Sequence, residues 1–446
     1  MLAIGGLIGL AIWHLVVTEL PLYLADAHPE AALWLDPGQP LALTTLADRA
    51  LNGEAERSEP DSDAGSGAGR DPLGKWAAAG LRPDGKPARP PLSDQDRARI
   101  RMMAETAAAR DPLNATALRI LGQLADDAGD KALAERYMRA SVHLSARSSY
   151  AVYWLMAASA KANNFADAMH YADLLLRKRP QLGRVAFPIL MDAAERDPVA
   201  GQAALVALLA TEPPWRPSFM RSMHQYVRDA RAPLSVLSAL KASSSPPSPE
   251  ELNGYLNFLV ARKLYEFAYY VWLQFLPADE LADAAFLVNG SFEDPPSGSP
   301  FDWRIDGGQG VTIDVAHRVD TDGDHALYLE LGPGRAQFYG VSQLVLLAPG
   351  RYRLSGRLQG DVSGRRGMQW RVTCIASGKV AGESPMFLGS APTWTAFDGE
   401  FEVPADNCRA QQVRLMLSAR SASEELASGA IWYDAMKIAR IEPTGP

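Results

Sequence analysis

The sequence predicts a multidomain chain: an N-terminal transmembrane helix, an all-α helical-repeat region, then an all-β antiparallel sandwich. Three observations lead there. An uncharged apolar run opens the chain, and helical patterning with a recurring spacing fills its middle. From Ala285 onward the pattern changes to short alternating strands with Gly and Pro turns. With 446 residues the chain has room for two or three domains, and a hydrophobic fraction of 47% supports packed cores. The net charge of −8 argues against a nucleic-acid partner, because phosphate binding needs a basic stripe. Arg177-Lys178-Arg179, just before Pro180, reads as a helix C-terminus that balances the dipole.

Residues 2–17 carry no formal charge, and the apolar run extends to Leu24 with breaks at Glu19 and Pro21. A spanning helix needs about 20 residues. Trp13 and Tyr23 suit the two membrane interfaces. No Lys or Arg precedes Arg49, so charge asymmetry specifies orientation only weakly. Two readings stand for residues 1–24. One is an uncleaved anchor, and the other is a signal peptide cut after Ala25-Asp26-Ala27. The missing basic start favours the anchor, which places the body in the periplasm or outside the cell, at a bacterial inner membrane.

A short helical segment follows at 25–52 and ends at Asn52-Gly53. Residues 53–92 are rich in Gly, Pro, Asp, Ser and Arg and have little to bury, so they predict a flexible linker. Gly65-Ser66-Gly67 lacks the Gly-Lys-Ser/Thr ending of a phosphate loop and belongs to that linker.

Helix-turn-helix patterning runs from Ser93-Asp94 to about residue 282. Pro112, Pro180 and Pro214 fall at multiples of one recurring interval. Ala134 and Ala168 are separated by that same interval, as are Tyr137 and Tyr171. The small Ala sites suit close helix pairing. Gly129-Asp130 and Asn163-Asn164 suit the left-handed residue of a helix-joining turn. With Leu121-Gly122 in its first unit, the region resembles tetratricopeptide repeats, whose unit of about 34 residues matches the interval. Leu155-Met156 departs from the motif in the second unit. TPR-like repeats imply a groove for a protein partner; a plain spacer is the alternative. Ser243 to Pro249 breaks the helices. The aromatic-rich pair after it, from Tyr255 to Phe275, predicts a capping surface against the β module.

Eight or so strands are legible between residues 283 and 446, among them Ala326–Leu331, Tyr352–Leu358, Gln369–Ile375 and Ile431–Ile438. The opening Asn289-Gly290-Ser291-Phe292-Glu293, with Trp303 following, sets their order. So do Pro349-Gly350-Arg351-Tyr352, Trp394-Thr395-Ala396-Phe397, Phe401-Glu402-Val403-Pro404 and Ile431-Trp432-Tyr433-Asp434. This order resembles the jelly-roll carbohydrate-binding modules of the galactose-binding-like superfamily. The resemblance implies glycan binding without catalysis. It also implies a structural calcium held by Glu293 and Asp434, with no other cofactor required. Carboxylate oxygens suit that hard cation. The resemblance assigns Trp394 and Trp432 to the core and Trp303 to its edge. Trp370 and Tyr339 have no core role in the family pattern. Together with Arg371 they are the candidate sugar contacts, offering aromatic faces and a hydroxyl partner. Asp320 to Asp324 reads as a hairpin turn and not as a calcium loop.

The only cysteines, Cys374 and Cys408, lie in the β module. They pair in an oxidising compartment and otherwise stand as buried thiols. The seven histidines show no close ligand spacing, and no nucleophile elbow or Walker motif occurs. The chain therefore reads as a non-enzymatic, membrane-anchored accessory of bacterial polysaccharide assembly or export. Its sandwich would touch polymer, and its helices would hold a protein. Two other readings stay open: a protein-protein scaffold whose sandwich binds no sugar, and a glycan-active enzyme with fold-assembled carboxylates.

Overall fold

The computed structural model describes residues 13, 16, 19–52, 92–277, 281, 286–318 and 325–442. Most of the apolar start, the linker expected at 53–92 except Leu92, and the Asp320–Asp324 turn lie outside these residues. Among the described residues no helix is long and apolar enough to cross a membrane. The chain divides into two compact units. The first spans residues 1–219 with 225–227, and the second spans 220–224 with 228–446.

Among the described residues of the first unit three helices, α1 (Leu20–Leu24), α2 (Pro29–Leu35) and α3 (Pro40–Asn52), precede a longer series. It comprises α4 (Asp94–Arg110), α5 (Ala115–Asp127), α6 (Lys131–Leu144), α7 (Ser149–Lys161), α8 (Phe165–Lys178), α9 (Gly183–Arg196) and α10 (Ala200–Leu209). A further helix, α11 (Arg216–Ser222), begins in the first unit and ends in the second. Helices α5, α7 and α9 begin at equal intervals, at Ala115, Ser149 and Gly183. The local chemistry repeats with them. Asn114, Asp130, Ser148 and Asn164 each cap a helix by accepting a backbone N–H on the side chain. Gly129 (φ 84°) and Asn163 (φ 59°) take the left-handed conformation in the two helix-joining turns, as their residue types predict. Ala134 and Ala168 are buried, which lets the paired helices approach closely.

One polar contact ties α3 into this stack. The buried Arg119 of α5 donates to Asp48 of α3 and, at 2.5 Å, to Gln123 Oε1. Around it pack Leu43, Ala47, Ile100, Ala104, Ile120 and Leu124.

The second unit joins α12 (Ala232–Lys241), α13 (Pro249–Ala261) and α14 (Tyr265–Phe275) to the sandwich. Ser248 and Glu251 close a capping box at the start of α13. The aromatic stripe meets the β module as its composition suggests: Tyr269 and Trp272 lie 5.2 and 5.6 Å from the Phe301 ring.

Among the described residues ten strands form two five-stranded antiparallel sheets. They are β1 (Arg304–Gln309), β2 (Val311–His317), β3 (His325–Leu331), β4 (Gln337–Val345), β5 (Gly350–Gly364), β6 (Met368–Cys374), β7 (Val380–Glu383), β8 (Gly389–Val403), β9 (Gln411–Leu417) and β10 (Ala427–Arg440). One sheet has the order β1-β4-β9-β6-β7 and the other β2-β3-β10-β5-β8. Alternation sets the core. Leu327, Leu329 and Leu331 of β3 and Ile431 and Tyr433 of β10 face Val341, Val372, Val413 and Leu415 of the other sheet. Cys374 and Cys408 form a disulfide within this core, as the oxidising reading predicts.

The opening motif has a physical basis at each position. The Asn289 side chain donates to Asp294 O and accepts from Asp294 N, which holds Asn289 at φ 49°. Gly290 O accepts Met436 N–H at 2.8 Å. Phe292 is fully buried, stacked 5.1 Å from the Trp303 ring. Trp303 Nε1 in turn donates to Asn289 O at 2.7 Å.

Candidate functional site

The outer face of the β2-β3-β10-β5-β8 sheet carries a cross-strand row of polar and aromatic side chains. Asp314 of β2 pairs with Tyr328 of β3, Tyr328 with Trp432 of β10, and Trp432 with Gln359 of β5. Each flanks inward-facing apolar residues, so the two-residue period of the strand sends it outward. A register shift between Leu358 and Gly360 marks the β5-β8 pairing beside Trp394 of β8.

Two guanidinium groups bind this row together. The Arg318 Cζ lies 4.5 Å from the Trp394 ring centre and 5.4 Å from that of Trp432. The Arg357 Cζ lies 4.9 Å from Trp394. Tyr328 and Trp432 are 4.6 Å apart, centre to centre. Arg318 Nη1 donates to Gln359 Oε1 at 2.9 Å, and Gln359 Nε2 donates to Pro392 O at 2.8 Å. Arg357 Nε donates to Asp434 Oδ2 at 2.9 Å, and its Nη2 reaches the same oxygen. Tyr328 OH donates to Glu330 at 3.3 Å. Burial, and then the Glu330 charge, raise the Tyr328 phenol above its ordinary value, so it stays a donor at neutral pH. Tyr328, Trp394 and Trp432 are all half-buried, and Arg318 is 8% exposed. Aromatic, amide and carboxylate groups on one sheet face can meet the C–H face and the hydroxyls of a sugar.

This arrangement inverts the expected tryptophan roles. Trp370, expected as a sugar contact, is 1% exposed and packs between Trp303 at 5.5 Å and Tyr433 at 5.6 Å. Its neighbours on β6 explain why: Met368, Trp370, Val372 and Cys374 alternate onto the inner face. Trp394 and Trp432, expected in the core, stand on the outer face, while Trp303 is core and not edge. Tyr339 and Arg371 belong to the other sheet. Tyr339 is 53% exposed, and Arg371 Nε donates to Glu383 Oε1 at 2.6 Å. The three expected contacts therefore form no common site. Strict alternation in Leu327-Tyr328-Leu329 and Ile431-Trp432-Tyr433 was the signal for the outer face. Arg318, beyond the end of β2, had no such signal.

Glu293 and Asp434 are engaged by different partners. The Asp434 carboxylate accepts two bonds from Arg357 and one from the Ala435 N–H. Glu293 accepts the His325 N–H at 3.2 and 3.3 Å. Among the described residues no three His, Cys, Asp or Glu side chains converge as a metal site. A guanidinium already neutralises the buried Asp434, so this donor set does not fit the calcium that the resemblance implies.

A scan against protein-family models finds no match, and a search of curated proteins finds none. Solved structures do match. One is described as a CBM4 structure, at 15% identity over 35% of this chain and 99% of that chain, with a TM-score of 0.27. TmCBM61 in complex with β-1,4-galactotriose matches at 19% identity over 35% and 99% of the two chains, TM-score 0.25. The CBM22-1 xylan-binding domain from Paenibacillus barcinonensis Xyn10C matches at 15% over 35% and 94%, TM-score 0.24. An enzymatically active tailspike domain of bacteriophage CBA120 matches at 14% over 35% and 21%, TM-score 0.25. Each of these matches covers about a third of this chain, and three of the four are described as carbohydrate-binding modules or domains.

Proposed function

We propose that the chain is a membrane-anchored, extracytoplasmic scaffold whose sandwich binds glycan. It would serve polysaccharide assembly or export without catalysis of its own. The row Tyr328, Trp432, Gln359 and Trp394 on one outer sheet face carries this reading. It combines aromatic surface with groups that pair hydroxyls. The Asn289-to-Glu293 opening and the order of later motifs support the same class, through the sequence resemblance. The disulfide supports an oxidising compartment, and the uncharged start at 2–17 supports an anchor. The evenly spaced starts of α5, α7 and α9 support a TPR-like holder for a protein partner.

One observation favours the alternative of a protein-protein scaffold. Arg318 and Arg357 both lie over Trp394, so guanidinium groups already occupy aromatic surface that a sugar would stack on. Titration of the full-length protein with a panel of bacterial polysaccharides decides. Saturable binding weakened at least tenfold by Trp432→Ala or Trp394→Ala supports the glycan reading. Absence of binding by folded, disulfide-intact protein refutes it in favour of the scaffold.

A further inference from the structure

The second unit contains a groove of about 620 Å³ between the α13–α14 hairpin and the opening segment of the sandwich. That volume falls within the usual range for small-molecule sites. Its two walls differ in chemistry. Leu252, Trp272 and Phe275 supply an apolar side from the helices. Ser291, Asp294 and Ser299 supply a polar side from the segment before β1.

The polar wall has unused hydrogen-bonding capacity. Ser299 is 3% exposed, and its Oγ has no partner. A buried hydroxyl in that state costs free energy until something pairs with it. The Asp294 side chain is exposed and has no ion-pair or hydrogen-bond partner among the described residues. Asp302, by contrast, is engaged: its oxygens accept the Ser297 and Trp303 N–H groups, each at 2.7 Å. Asn253 is held by donation to Ser297 O at 2.9 Å, which fixes helix and loop together.

Charge narrows the ligand class. Glu293, Asp294 and Asp302 line the groove, and none of its described lining residues is Lys, Arg or His. Among the described lining side chains a uronate or phosphate would meet only like charge, and the Lys241 ammonium, 5.5 Å from the Phe275 ring centre, already donates to Gln274 O. A ring with an apolar C–H face and neutral hydroxyls matches both walls, and so does a ring bearing an amino group.

We infer that this groove is a second binding site, distinct from the outer sheet face, for a sugar ring without anionic substituents. The inference deepens the glycan reading and can fail separately from it. The test is calorimetric titration of the full-length protein in detergent with cellotetraose, mannotetraose, chitosan tetramer and galacturonate tetramer. A neutral or amino tetramer binds, and the galacturonate tetramer does not. Ser291→Arg, which fills the exposed mouth, and Asp294→Asn, which keeps its shape, each weaken binding at least tenfold. Trp432→Ala leaves in place the component of tetramer binding that the groove variants remove. A chitosan-only response identifies the amino-bearing ring, and a cellotetraose or mannotetraose response the neutral one. Binding insensitive to both groove variants overturns the second site and leaves the sheet face standing. The same holds if polysaccharide binds but no tetramer does. Preference for galacturonate overturns the charge argument and with it the proposal.

Discussion

A β-carbon at Gly290 would stand 2.0 Å from Met436 O, while the Met436 N–H donates to Gly290 O at 2.8 Å. The opening segment of the sandwich thus lies backbone to backbone against β10, beside Ala435 in its left-handed conformation (φ 52°). Gly290→Ala should cost about 2–3 kcal/mol, as overpacking a rigid contact does. Calorimetric melting of the second unit measures it, with the exposed Ser291→Ala as a near-neutral comparison. Equal melting of Gly290→Ala and the parent protein would mean that the segment can lift off.

The Arg357–Asp434 pair gives a second expectation. Asp434 is nearly inaccessible, but the Arg357 side chain is 39% exposed, which discounts its worth. Arg357→Met should destabilise by about 2–3 kcal/mol by leaving a buried carboxylate unpaired. Calcium or chelator should leave the parent melting temperature unchanged. A rise of several degrees with calcium would instead assign Glu293 and Asp434 to a cation.

Asp48→Ala should destabilise the first unit by about 3 kcal/mol, because Arg119 is only 7% exposed and would be left charged in the packed stack. Chemical denaturation followed by helical circular dichroism reads this out. A loss no larger than that of an ordinary surface substitution would show that the remaining partners of Arg119 suffice.

The disulfide spans 34 residues. Closing a loop of that length stabilises by about 3–4 kcal/mol through the unfolded chain's entropy. Cys374→Ala/Cys408→Ala should lower the sandwich's melting temperature and leave the first unit's transition in place. A single shared shift of both transitions would contradict independent units.

His224 packs 4.6 Å from the Phe258 ring, and its Nδ1 has no partner. Burial pushes its pKa below the ordinary histidine value. The folded state therefore binds fewer protons than the unfolded state near that value. Its contribution is fully present above the unfolded pKa, about 6.5, and is lost as pH falls from there through the lower folded value. Melting of the second unit should weaken from pH 7.5 to 5.5, and His224→Phe should flatten that dependence. An unchanged slope in the variant would place the pH sensitivity elsewhere.

Several features were determined by the sequence alone. The change from helices to strands, which falls between Phe275 and Arg304, follows from the hydrophobic period. The left-handed turns at Gly129 and Asn163, and the even spacing of α5, α7 and α9, follow from residue type and interval. All of these depend on chain neighbours, so local physics decides them. The aromatic pair on Phe301 was legible too, as an apolar stripe with nothing else to cover it.

Tertiary structure decided the rest. Family position made Trp370 look like a ligand residue and Trp432 a core residue. The pleat reversed both: Trp370 shares a face with the buried Val372 two residues on, and Trp432 faces away from its buried neighbour Tyr433. Arg318 meets Trp394, and Arg357 meets Asp434, across long stretches of intervening chain. The groove arises because α13 and α14 pack beside the segment before β1. No local period records such meetings: they depend on which strands pair and in what register, which is settled only when the whole sandwich closes.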